Sequence, residues 1–148
     1  MSDSYDLLRA QRFLDGLNDW QLQRLAQHAQ RSMFHAGNRV FREGDAADRM
    51  WLIVAGRVAV DTHLPRQGDV VVDTLGPGAV LGWSWLVPPH RWRFGAVAIE
   101  TTHTIEMDGP SVRELCHNDP LLGFQLALGV IQVVTERLRA TRHRLASG

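Results

Sequence analysis

Residues Gly37 to Val60 read GNRVFREGDAADRMWLIVAGRVAV, and residues Leu75 to Gly82 read LGPGAVLG. Turn formers at Gly37-Asn38, Gly44-Asp45 and Gly56 cut the first stretch into short apolar segments. Met50 to Val54 is apolar without interruption, as expected of a strand covered on both faces. In the second stretch Gly76 and Gly78 permit positive φ or a close approach, and Pro77 stiffens the corner between them. A further turn follows from Pro65 to Asp69. Short strands at this spacing predict an antiparallel sandwich or barrel. The pattern begins at Met33 and runs to Asp108, where Val97, Ile99, Thr101, His103, Ile105 and Met107 alternate with their neighbours. That alternation predicts a strand with one face turned inward.

Helical signals flank this β region. The first fifteen or so residues predict a weak helix, and Leu17 to Gln30 a better one. Its marks are a capping box at Asn18 and Gln21, a staple of Leu17 on Leu22, and a stripe of Leu22, Leu25, Ala26 and Ala29. After Asp108-Gly109-Pro110 a short helix is predicted over Ser111 to His117, then a stop at Asn118-Asp119-Pro120. One long helix, roughly 40 Å at 1.5 Å per residue, should run from Pro120 to about Ala146. Phe124, Ile131, Leu138 and Leu145 recur every seven residues, with Ala127, Val134 and Thr141 between them. That is the pattern of a two-helix seam and predicts a homodimer. Gly129 and the arginines near the end favour the alternative, a helix that only covers its own domain. Arg137, Arg139, Arg142 and Arg144, with His143, read as cations on a solvated face near a helix C-terminus; phosphate contact is the other reading.

Composition narrows the function classes. The chain has 148 residues, 45% of them hydrophobic, and formal net charge +0, which fits one soluble domain. All 16 basic residues are arginine. The absence of lysine excludes a P-loop, a pyridoxal Schiff base and a Ser–Lys dyad. Balanced charge argues against a broadly basic nucleic-acid surface. Cys116 stands alone, so no internal disulfide or zinc ribbon forms, and a reduced, cytoplasmic setting is expected. The N-terminus is polar and the apolar run Leu126 to Val134 is broken by Gln132, so neither a signal peptide nor a membrane span is expected. The 7 histidines show no metal-ligand spacing. Cys116 and His117 would point about 100° apart on a helix, a poor nucleophile–base pair. No Ser/His/Asp or paired-carboxylate arrangement stands out. The expectation is no catalytic residue, no metal site and no enzyme.

The stretches Gly37–Val60 and Leu75–Gly82, in this order and flanked by these helices, resemble the cyclic-nucleotide-binding domain of the Crp/Fnr superfamily over roughly Phe13 to Leu138. The resemblance implies a mainly β fold, an antiparallel β-roll of jelly-roll type with N-terminal helices and a long C-terminal helix. One domain would then span 1–148, with helices over about 4–30, the β-roll over about 31–108 and C-terminal helices over about 110–146. It also implies a ligand pocket under a one-turn helix. In the family this phosphate-binding cassette opens with Gly-Glu, whose glutamate binds the ribose 2′-hydroxyl. It closes with an arginine for the cyclic phosphate, followed by a small or hydroxyl residue.

Here the cassette reads GWSWLVPPHRWRFG from Gly82 to Gly95. Arg93 matches the phosphate arginine, with Arg91 as an alternative two positions away. Trp83 stands where the glutamate would, and Phe94 replaces the small residue. The resemblance therefore implies a ligand site of Gly82, Trp83, Ser84, Trp85, Leu86, Arg93 and Phe94. A guanidinium beside exposed amides suits phosphate or carboxylate. Losing a charged partner for the ribose costs about 1.5–3 kcal/mol, roughly tenfold to a hundredfold in affinity. The anion half of the site is thus expected to persist while the sugar half is rewritten. Trp83, Trp85 and Trp92 are candidates for stacking on a ring, or equally for core or interface.

In transcription factors of the superfamily a helix-turn-helix domain follows the long helix, whereas this sequence ends at Gly148, so no DNA-binding domain is expected. The leading expectation is a ligand-sensing regulatory domain that binds a cyclic nucleotide or another nucleotide-like anion and signals through a dimer helix. No resident cofactor is expected. The alternative is a ligand-free adaptor, an accessory subunit of a larger cytosolic or redox complex whose aromatic cassette contacts a protein partner. A third reading, DNA association through the terminal arginines, requires salt-dependent binding.

Overall fold

The computed structural model describes residues 3–147, apart from the side chains at positions 3, 144 and 147. Its elements in order are α1 (Asp3–Arg9), α2 (Asp19–Ala26), β1 (Ala29–Phe34), β2 (Arg39–Phe41), β3 (Arg49–Ala55) and β4 (Val58–Leu64). They continue with β5 (Gly68–Leu75), β6 (Val80–Leu81), β7 (Gly95–Ala98), β8 (Thr102–Asp108), α3 (Gly109–Asn118) and α4 (Pro120–Ser147). Single 3-10 turns occur at Arg12–Leu14 and Ser84–Leu86. The strands form two antiparallel sheets, ordered β1-β8-β3-β6 and β2-β7-β4-β5. This is the β-roll with flanking helices that the sequence predicts.

The uninterrupted apolar run makes β3, whose Met50, Trp51, Leu52 and Ile53 are all buried. The chain leaves β3 for the other sheet at Gly56, with φ +107; a Cβ there would lie 2.5 Å from the Thr102 backbone. Thr102 belongs to the matching crossing from β7 to β8. Here the structure corrects the single strand expected over 97–108: residues 99–101 carry the chain between sheets without disturbing the alternation. The Ile99 amide donates to the Arg57 carbonyl at 2.9 Å. Ile99, Thr101 and His103 are consequently exposed, and Ala96, Ala98, Thr102 and Thr104 are buried instead.

The Asn18–Gln21 capping box forms as predicted and starts α2. That helix stops at Ala26, short of the expected Gln30, because Ala29 to Phe34 pair with β8 in continuous register from Met107 to Thr102. Tertiary pairing here outweighs helical periodicity. The N-terminal helix is likewise shorter than expected, ending at Arg9 before the separate turn Arg12–Leu14.

The long helix α4 has two unlike faces. Leu122, Leu126 and Val130 are buried on the domain, and Gly129 lets the helix approach Phe13, whose carbonyl oxygen would lie 2.6 Å from a Cβ at that position. Gly129 is thus a packing residue. Phe124, Ile131, Leu138 and Leu145 are exposed, as the seam requires. Their companions differ from expectation: Val134 packs against the core and Ala127 is half-buried, whereas Leu121 and Leu128 share the exposed stripe. By length and composition Pro120–His143 is apolar enough to cross a membrane, but its inner face is part of the domain core.

Candidate functional site

β6 brings the chain to the cassette. The Gly78 amide donates to the Ile53 carbonyl at 2.8 Å and the Ile53 amide to the Ala79 carbonyl at 3.0 Å, pinning the Gly76-Pro77-Gly78 corner to β3. Gly82 follows with φ +84, and a Cβ on it would lie 2.7 Å from the Trp92 ring. Only glycine fits between backbone and indole at that point. The Ser84–Leu86 turn comes next, and the chain returns beside residues 44–47. There the Gly44 amide donates to the Trp92 carbonyl at 2.8 Å and the Trp92 amide to the Asp45 carbonyl at 2.9 Å.

A hollow lies between this return, β4 and α4. Phe41, Val60, Leu81, Gly82, Trp83, Ser84, Trp92, Arg93, Phe94 and Arg137 line it, so five of the seven residues expected in the ligand site meet there. The other two do not. Trp85 is fully buried beneath Gly109, with its carbonyl accepting from Arg113, and Leu86 packs against the core. At three residues per turn, Trp83 and Trp85, two positions apart, point to different sides.

The two candidate arginines separate clearly. Arg91 donates to the Gly44 carbonyl at 2.9 Å and does not line the hollow. Arg93 lines it, is exposed, and has neither ion pair nor hydrogen bond among the described residues. Just behind it, Arg39 holds Asp61 at 2.8 Å, and hydrogen bonding to that carboxylate raises the guanidinium's pKa. Gly95 passes over this pair with no room for a side chain: a Cβ would sit 2.4 Å from Asp61 Oδ1.

The interior of the hollow is aromatic. Phe41 stacks on Trp92 with centroids 3.9 Å apart, Trp51 lies 5.9 Å from Trp92, and Phe34 meets Trp51 edge-on at 6.0 Å. Trp92 lines the hollow as part of its floor but is only 4% exposed, and Trp85 does not line it, so Trp83 is the most accessible of the three cassette tryptophans. About 30 Å³ of space remains, against roughly 300–1,000 Å³ in pockets that enclose an organic ligand.

Arg137 is the residue that sequence reasoning missed. It stands among the terminal arginines read as a solvated face, yet its guanidinium lies 4.6 Å from the Trp83 ring centroid and donates to the Val80 carbonyl. Burial pushes its pKa down to about 10, partly offset by Asp73. A signal was present: Leu122, Leu126, Val130, Val133 and Arg137 follow one helical stripe. Arg139, Arg142 and His143 are exposed, and the Arg144 side chain lies outside the described residues. Among the described residues no cluster of His, Cys, Asp and Glu suited to a metal ion occurs.

This two-sheet roll with its flanking helices has counterparts. Residues 31–119, more than half of the chain, match the family described as the cyclic nucleotide-binding domain. The chain belongs to that family. This cyclic-nucleotide-binding domain is 27% identical over 113 residues to the CRP-like cAMP-activated global transcriptional regulator of Mycobacterium tuberculosis, which covers 76% of this chain and 49% of that protein. The cyclic AMP receptor protein of Thermus thermophilus is 29% identical over 99 residues, 66% of this chain and 45% of that protein. The domain thus spans about half the length of the curated relatives it matches.

Among solved structures, a candidate cyclic nucleotide-binding protein of Geobacter metallireducens GS-15 superposes with a TM-score of 0.84 at 29% identity, covering 93% of this chain and 99% of that one.

Proposed function

We propose that the domain is a regulatory sensor that binds a nucleotide-like anion at Arg93 and passes the binding on through α4. The observation that carries this reading is Arg93 itself: a guanidinium without a partner among the described residues, on the rim of a hollow it shares with Gly82, Trp83, Ser84 and Phe94. An arginine in that position supplies two parallel donors to a phosphate or carboxylate. Entry of a nucleotide requires the hollow to widen, and the side chains in the way, Trp83 and Arg137, join the cassette to α4. Ligand binding would therefore bias the seating of α4, by the difference in affinity between its two positions.

A second copy is the partner proposed for the outer face of α4, where Phe124, Ile131, Leu138 and Leu145 form a continuous exposed row. A cytoplasmic location accords with the free thiol of Cys116.

Calorimetry with cyclic AMP, cyclic GMP and cyclic dinucleotides tests the sensor reading. The wild type should bind at least one, and an equally folded Arg93→Ala variant should lose it; no binding by either protein removes the reading. Sedimentation of wild type and Leu138→Asp tests the dimer, which the variant should dissociate.

One observation favours the adaptor reading, namely how little space the aromatic stack leaves. Against it, Trp85 and Trp92 are buried and do not form the contiguous exposed patch that an aromatic docking surface needs. Quenching of tryptophan fluorescence by acrylamide separates the two: an adaptor surface requires more than Trp20 and Trp83 to be accessible.

A further inference from the structure

Arg137 and Arg93 are the only charged residues among those lining the hollow. Arg39, half-buried, has Asp61 beside it at 2.8 Å. Arg137 has instead one backbone carbonyl and the face of an indole. Asp73 acts on it at longer range but does not line the hollow. Burial of the Arg137 guanidinium carries a cost that Asp73 offsets only in part, and an anion in the hollow would offset more of it.

A plug alone would not need this chemistry. Arg137 continues the buried stripe of Leu122, Leu126 and Val130, where a leucine or methionine would fill the same space without burying charge. The expensive residue at that position therefore points to a ligand. Resting on the sensor reading above, we infer that the hollow selects a nucleotide with two negative charges, Arg93 taking one anionic group and Arg137 the other. Cyclic AMP carries a single charge. A 5′-mononucleotide or a cyclic dinucleotide carries the second, and either has a flat base to lay against Phe94, which stands 41% exposed on the rim. Such a ligand takes the Arg137 guanidinium away from the Val80 carbonyl and the Trp83 ring, and so loosens α4 from the cassette.

The test compares full-length wild type with Arg137→Met, which keeps most of the stem and removes the charge, and with Arg137→Lys, which keeps the charge. Cyclic AMP, 5′-AMP and cyclic di-AMP are titrated by calorimetry slightly above neutral pH, with thermal melting as the control for folding. Wild type should bind one of the two dianions at least about tenfold more tightly than cyclic AMP. Arg137→Met should collapse that ratio toward unity, and Arg137→Lys should keep part of it.

Equal affinity of wild type for cyclic AMP and both dianions would overturn the inference and leave the sensor reading intact, provided the binding depends on Arg93. Uniform weakening of all ligands by Arg137→Met would make Arg137 merely structural, and uniform tightening would make it a plug; either result also overturns it. Binding of no probe by wild type removes the sensor reading, and this inference with it.

Discussion

Two sides of one strand handle positive charge differently. Behind Gly95, Arg39 is locked between Asp61 at 2.8 Å and Asp69 at 3.7 Å, in a space so tight that no side chain fits at Gly95. In front of it, Arg93 and Arg137 line a hollow to which no carboxylate contributes. The rear charge is part of the architecture, because a buried ion left alone costs several kcal/mol and the fold supplies its partner. The front charges have no carboxylate lining their hollow, and the fold tolerates them because Arg93 reaches water and Arg137 finds a carbonyl, a π face and the more distant Asp73.

The largest test of this contrast is the aromatic floor of the hollow. Trp92→Ala should cost about 4 kcal/mol in urea unfolding, since it removes a buried indole from its stack with Phe41. A loss below about 1 kcal/mol would mean that the stack is not a support for the hollow. Next, Asp61→Ala should cost about 3 kcal/mol by stranding Arg39, whereas the same measurement on Asp61→Asn should show a smaller loss because the amide oxygen still accepts.

A third carboxylate sharpens the paired side through pH. Asp108 caps α3, and the Ser111 hydroxyl holds its pKa below the usual carboxylate range; the Ser111 amide acts in the same direction, and desolvation opposes both. A depressed folded pKa means that the unfolded chain takes up the proton first as pH falls. The cap's contribution is therefore complete above the unfolded value of about 3.9 and disappears as pH drops through the folded one. Asp108→Ala should cost about 1 kcal/mol in urea melts at neutral pH, with the difference from wild type shrinking in acid. The smallest effect belongs to the front side. Arg93→Ala should change unfolding free energy by no more than about 0.5 kcal/mol, because nothing in the folded chain depends on that side chain. A large loss there would erase the contrast.

How far the sequence disclosed this depends on how local each signal was. The capping box at Asn18, the run Met50 to Val54 and the stop at Asp119-Pro120 are complete within a few residues, and all three appear where expected. The crossing at residues 99–101 was hidden because Ile99, Glu100 and Thr101 continue the alternation with no glycine or proline to interrupt it. The end of α2 was hidden for a related reason: Ala29 extends a helical stripe and yet belongs to a strand whose partner lies over seventy positions away.

At the site, the resemblance pointed to Arg93, and that side chain lines the hollow. The inward turn of Trp85 and Trp92 was not, because an indole suits a core and a ligand face equally well. Arg137 was concealed among neighbouring arginines, and only its phase relative to Leu126 and Val130 distinguished it.

One consequence follows from the order of two neighbours on α4. Arg137 reaches toward the cassette and Leu138, the next residue, belongs to the outward apolar row, their directions diverging by about 100° on a rigid helix. The helix therefore behaves as an axle with a tooth on either side. Whatever rolls it far enough to disengage the guanidinium must also re-aim the leucine, so the interior of the domain and the edge it offers to the outside cannot be set independently.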